Sequence, residues 1–128
     1  MNPNEYNDIM NSLVEAKLID NNDKLIVTEK GDYWEKFLFF RSQVRGYYYF
    51  TENRIVFLGG FASSTQLSIQ YKNIVKVEKC SVGPFLPFGV MIYVYDENKN
   101  KNVKYKLSLM NRNKWITFIE NRIKNVNY

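Results

Sequence analysis

Between Leu25 and Leu109 the chain is a succession of short runs of β-branched and aromatic residues, each cut off by residues that favour turns. This pattern restricts the chain to an all-antiparallel architecture of short strands. Leu25-Ile26-Val27-Thr28 is the first run, interrupted at Gly31-Asp32; Tyr33 to Phe40 is an aromatic stretch read here as strand. Gly46 opens Tyr47-Tyr48-Tyr49-Phe50-Thr51, Glu52-Asn53 turns, and Arg54-Ile55-Val56-Phe57-Leu58 returns as the second half of a hairpin. After a loop at Gly59-Gly60 and Ala62-Ser63-Ser64, Thr65 to Tyr71 alternates, with Leu67, Ile69 and Tyr71 on one face. Ile74 to Glu78, Val90 to Tyr95 and Val103 to Leu109 follow, the last two joined by a polar loop from Asp96 to Asn102. About seven strands at this spacing suit a barrel or sandwich.

Helical periodicity marks both ends. Asn2-Pro3-Asn4-Glu5 supplies a capping side chain, a proline for the first helical position and a Glu three residues after the cap. Tyr6, Ile9, Met10, Leu13, Val14 and Leu18 then form one apolar stripe, ended by Asp20-Asn21-Asn22-Asp23. A second helix is expected from about Asn111, with Trp115, Phe118, Ile119, Ile123 and Val126 on its apolar face. The expected fold is mainly β with helices (α+β). An antiparallel barrel of about seven strands spans residues 23–128 and is capped by its C-terminal helix. Residues 1–22 add an amphipathic helix and linker, in one domain overall.

Strands followed by one terminal helix carrying a tryptophan resemble the pleckstrin-homology (PH) superfold, and the middle of the chain is similar to its GRAM and bacterial PH-like groups. The likeness rests on Gly46 through Phe57, on Ile69 to Val77, and on the helix start Asn111-Arg112-Asn113-Lys114-Trp115 through Ile119. It covers about residues 25–126 and leaves the N-terminal helix outside. Thr51 is placed to hydrogen-bond at its turn, Arg54 to snorkel or pair beside it, and Trp115 to plug an open barrel end. The resemblance implies a binding module. It also implies that basic residues in the loop joining the first two strands are where some members bind phosphoinositides; here these are Lys36, Arg41 and Arg45, with Phe37 to Phe40 between them.

Catalysis is not expected. The 128 residues include no histidine, which removes Ser-His-Asp and Cys-His chemistry and the commonest zinc ligand, so neither metal nor cofactor is anticipated. Cys80, the single cysteine, reads as a small buried hydrophobe and suits a reducing compartment. No apolar stretch nears the roughly 20 residues that span a bilayer, so the expected location is cytoplasmic, with the inner membrane face as a peripheral station.

Charge is divided unevenly. Residues 1–35 hold eight acids against three bases; residues 36–128 hold fifteen bases against five acids. A basic body suits an anionic partner, although the acidic segment could satisfy it from within. Lys99, Lys101, Lys104 and Lys106 around the last hairpin are read as a solvated outer face that discourages edge pairing. Nucleic acid is not favoured as a partner, for want of a stacking surface. Two functions compete. The leading one is protein interaction or self-association, a homodimer included, through the helix stripe Tyr6, Ile9, Met10, Leu13 and Val14, which must be buried either on its own barrel or on another chain. The alternative is peripheral binding to anionic lipid head groups through Lys36, Arg41 and Arg45. In the proline-bracketed loop, Phe85, Leu86 and Phe88 either fold inward and cap the barrel or form an exposed apolar patch for a partner or membrane.

Overall fold

The structure, a computed structural model, describes residues 1–37, 40–81 and 87–126. Its elements are α1 (Pro3–Glu15), β1 (Leu25–Phe37), β2 (Phe40–Thr51), β3 (Arg54–Gly59), β4 (Thr65–Gln70), β5 (Ile74–Cys80), β6 (Gly89–Asp96), β7 (Lys101–Ser108) and α2 (Arg112–Val126). Short 3-10 turns at Phe61–Ser63 and Tyr71–Asn73 join β3 to β4 and β4 to β5. All seven strands share one antiparallel sheet in the order β4-β3-β2-β1-β7-β6-β5. The expected barrel is therefore open, with β4 and β5 as its two ends. The second 3-10 turn joins them, and α2 packs on that turn, β5 and β6.

Inside the curl lies an aromatic-rich core that includes Tyr33, Tyr48, Phe50, Phe57, Tyr71, Leu107 and, from α2, Trp115 and Ile119. Trp115 stacks on Phe50 with ring centroids 4.6 Å apart and planes 10° apart. The last-strand alternation places Leu107 and Leu109 in this core, as the periodicity predicts.

Two local expectations are corrected. Gly31-Asp32 does not interrupt the first strand: β1 runs unbroken from Leu25 to Phe37. Gly31 serves close approach instead, because a Cβ there would lie 2.6 Å from the Ser108 carbonyl oxygen and 2.9 Å from the Tyr48 ring. Likewise β2 starts at Phe40, ahead of Gly46, so β1 and β2 form one long hairpin.

The N-terminal helix forms as its start signals predict. The Asn2 side chain caps the helix by accepting from the Glu5 amide at 2.8 Å, and its amide group donates to the Glu5 carboxylate at 3.2 Å. It stops at Glu15, earlier than its stripe suggests. Lys17 turns left-handed (φ 61°), and the Lys17 and Leu18 amides donate to the Val14 and Leu13 carbonyls. That Schellman arrangement folds Leu18 back beside Leu13. Leu13, Leu18 and Ile19 then bury against Val56 on the outer face of the sheet, with Ile9, Met10, Val14, Tyr49 and Leu58 around them. Polar ties reinforce the seat: Ser68 Oγ donates to the Leu18 carbonyl at 2.7 Å, and Arg54 lies 3.7 Å from the Asp20 carboxylate.

Three buried tyrosines make the fold sensitive to alkali. Tyr48 donates its hydroxyl to the Asp32 carbonyl at 2.6 Å and Tyr71 to the Thr51 carbonyl at 3.1 Å. Burial holds both phenols well above their usual range, and raises that of Tyr33 to about 12. Above pH 10 the unfolded chain releases protons that the folded chain keeps, so stability must fall as pH rises. Urea midpoints measured from pH 8 to pH 12 should be level up to about 10 and drop beyond it; a flat profile to 12 would refute this.

Candidate functional site

β1 and β7 pair only where Asp32, Tyr33 and Trp34 face Ser108, Leu107 and Lys106. Past Trp34 the two strands part. β1 continues against β2 as far as Phe37 opposite Phe40, and β7 continues against β6 as far as Lys101 opposite Asp96. Two hairpin arms thus diverge, leaving a notch of about 340 Å³ lined by Lys36, Arg41, Lys99, Lys101, Asn102, Val103 and Lys104.

Among the described residues lining it, five are cationic and none is acidic. Lys36 and Arg41 are direct cross-strand neighbours, an arrangement of like charges that disfavours the hairpin unless an anion sits between them. Arg41 is steadied by donating through Nη1 to the Trp34 carbonyl at 3.1 Å. Lys104 rests 5.5 Å from the centre of the Tyr93 ring, a cation–π contact that limits its wandering. Asp96, at the β6–β7 turn, does not line the notch; it stands opposite Lys101 and accepts from the Asn98 and Lys99 amides at 2.9 and 3.3 Å. Such a notch can hold an anion by multiple charge-assisted hydrogen bonds, with a guanidinium able to bind phosphate in bidentate fashion.

The sequence candidates separate on this frame. Lys36 and Arg41 meet in the notch, on strands and not in a loop. Arg45 faces Asp32 farther down β2, in a mixed-charge hollow with Glu29 and Lys30. Phe88 borders that same hollow, at the end of β6 opposite the β6–β7 turn, and its carbonyl accepts from the Leu109 amide at 3.0 Å. Phe85 and Leu86 lie outside the described residues. The stripe of α1 faces its own sheet: Leu13 is buried, Ile9, Met10 and Val14 are partly covered, and Tyr6 is half-buried. No residue of α1 lines the notch. Burial, its largest influence, pushes the thiol of half-buried Cys80 up and so favours the unreactive form.

Comparison by sequence finds no matching family model and no matching curated protein. Solved structures do resemble the chain. The C-terminal domain of an unknown protein from Leishmania infantum superposes with a TM-score of 0.66 at 14% identity, over 91% of this chain and 95% of that one. The N-terminal PH domain of Vps36 gives 0.59 at 17% identity, over 84% of each chain. The hSac2 domain of the human phosphoinositide phosphatase Sac2 gives 0.62 at 7% identity, over 94% of this chain and 84% of that one. The chain has a PH-like fold.

The likeness reaches the PH-like superfold and does not single out the GRAM group within it. In this PH-like sheet Thr51 does close the β2–β3 turn, receiving the Arg54 amide at 2.9 Å. Three notch residues, Lys99, Lys101 and Lys104, are exposed, as a solvated face requires, but they do not protect a sheet edge. β7 is not an edge, because it lies between β1 and β6. The signal that could have joined them to Lys36 and Arg41 is the pairing of β1 with the last strand, which no local pattern reveals. No helix among the described residues is long and apolar enough to cross a membrane.

Proposed function

We propose that this PH-like chain is a non-catalytic binding module whose notch takes anionic head groups at a membrane surface. The carrying observation is the convergence of Lys36, Arg41, Lys99, Lys101 and Lys104 on one cleft without a carboxylate among the described residues lining it. Protein interaction or self-association through the α1 stripe fits less well, since most of that stripe is already covered by the outer face of the chain's own sheet.

Co-sedimentation with phosphatidylcholine vesicles, with and without 20–30% anionic lipid, at low and physiological salt, tests the reading. The wild type should bind only the anionic vesicles and more weakly as salt rises. The double variant Lys36→Glu, Lys101→Glu should lose about thirtyfold in binding, from roughly 1 kcal/mol per removed cation plus repulsion. Both side chains are exposed, and Lys36→Glu gains a partner in Arg41 while Lys101→Glu meets Asp96, so the two effects on stability oppose each other and the melting temperature should stay close to that of the wild type. Equal binding to neutral and anionic vesicles, or none at low salt, would eliminate the proposal.

A further inference from the structure

Phe61, in the 3-10 turn between β3 and β4, is 93% exposed, the most exposed large apolar side chain among the described residues. A single exposed phenylalanine ordinarily needs no explanation. This one is held out by its backbone. Gly60 (φ 76°), Ala62 (φ 52°) and Ser63 (φ 55°) all occupy the left-handed region, which alanine and serine disfavour. Hydrogen bonds keep the turn in that shape: the Gly60 amide donates to the Arg45 carbonyl at 3.1 Å, and the Ser64 amide to the Phe61 carbonyl at 3.0 Å. The ring is therefore presented to solvent by a built turn. From Gly59 to Thr65 the loop has no charged residue, so it could enter an apolar phase without desolvating an ion.

Its position matters equally. Gly59 pairs with Gly46 and Gly60 bonds to Arg45, which sets the loop beside β2 and directs it toward the β1–β2 tip. Arg41, in the notch, is four residues farther along the same strand, about 13 Å at 3.3 Å per residue. We infer that Phe61 is a membrane anchor, inserting into the acyl boundary of the leaflet whose head groups the notch engages. The inference rests on the proposed lipid-binding function and adds an apolar contact to it. Weak basic patches on a membrane surface commonly need such a second contribution to stay bound.

The test compares wild type and Phe61→Ser on two ligands: vesicles of phosphatidylcholine with phosphatidylserine, and a soluble inositol phosphate. Phe61→Ser should bind the vesicles about tenfold more weakly, the loss expected for withdrawing part of one aromatic side chain from hydrocarbon. Its affinity for the soluble inositol phosphate and its melting temperature should not change. If Phe61→Ser binds vesicles as the wild type does while Lys36→Glu, Lys101→Glu does not, the anchor is refuted and the notch stands. Failure of the wild type to bind any anionic vesicle overturns both. If light scattering shows Phe61→Ser to split a dimer with vesicle binding unaltered, Phe61 is a contact between copies and the anchor is refuted.

Discussion

Trp115→Ala should destabilise the protein by about 3–5 kcal/mol, the range for emptying a large aromatic site in a core. Trp115 is 2% exposed and is the point where α2 grips the sheet. One ring face lies on Phe50, and Phe118 approaches edge-on with centroids 5.7 Å away. Because Phe118 also meets Phe50 edge-on at 5.4 Å, the three rings lock β2 to the helix. The void left by alanine cannot collapse easily: the strands on one side are fixed by their ladder, and the helix on the other is also held by Ile119. Urea unfolding followed by far-ultraviolet dichroism checks this, with Trp115→Phe as a milder control. A loss below 1 kcal/mol for the alanine variant would show that α2 does not close the sheet. Domains of this size hold only about 5–15 kcal/mol in total, so the variant should unfold at much lower denaturant.

Asp23→Ala should cost about 3 kcal/mol for a different reason, the loss of a buried acceptor with several donors aimed at it. Asp23 is 2% exposed. Its carboxylate accepts from the Thr51 hydroxyl at 2.7 Å, the Lys24 amide at 2.8 Å, and the Asn53 amide and side chain at 3.3 Å each. Thr51 in turn accepts from the Arg54 amide at 2.9 Å, so one side chain ties the segment after α1 to the β2–β3 turn. Removing it leaves buried donors unpaired and loosens residues 1–22 from the sheet. Asp23→Asn retains an acceptor and should lose less. The expected signs are a lowered urea midpoint and faster proteolytic cutting in the 20–22 region. An unchanged midpoint for the alanine variant would mean water replaces the carboxylate without loss.

Much of this architecture is written locally. The capping residues at Asn2 and Glu5, the alternation from Val103 to Leu109 and the stripe carrying Trp115 each report their own environment through period and composition. Gly31 misleads because a glycine that permits close packing looks the same in sequence as one that permits a turn. The seat of α1 did leave a trace. Ile55-Val56-Phe57 is apolar without alternation, and all three are buried because the core covers one face of β3 and α1 the other. The notch was only half legible. Lys36 and Arg41 could be placed by resemblance, whereas Lys99, Lys101 and Lys104 join them only through pairing between β1 and β7, far apart in the chain. Phe61 went unread because flanking glycine, alanine and serine announce a loop and say nothing of which way its one large side chain points.

The pairing of Asp32 with Ser108 also governs how the protein can be made. While the ribosome has yet to release the last strand, Asp32, Tyr33 and Trp34 lack their β7 partners, and Tyr48 and Phe50 face no helix. Co-translational folding can therefore reach a β1–β4 meander with α1 on its outer side, and must wait there until residues 101–119 emerge. That waiting species, with the aromatic core face of β2 and β3 uncovered, should be the form most prone to aggregate.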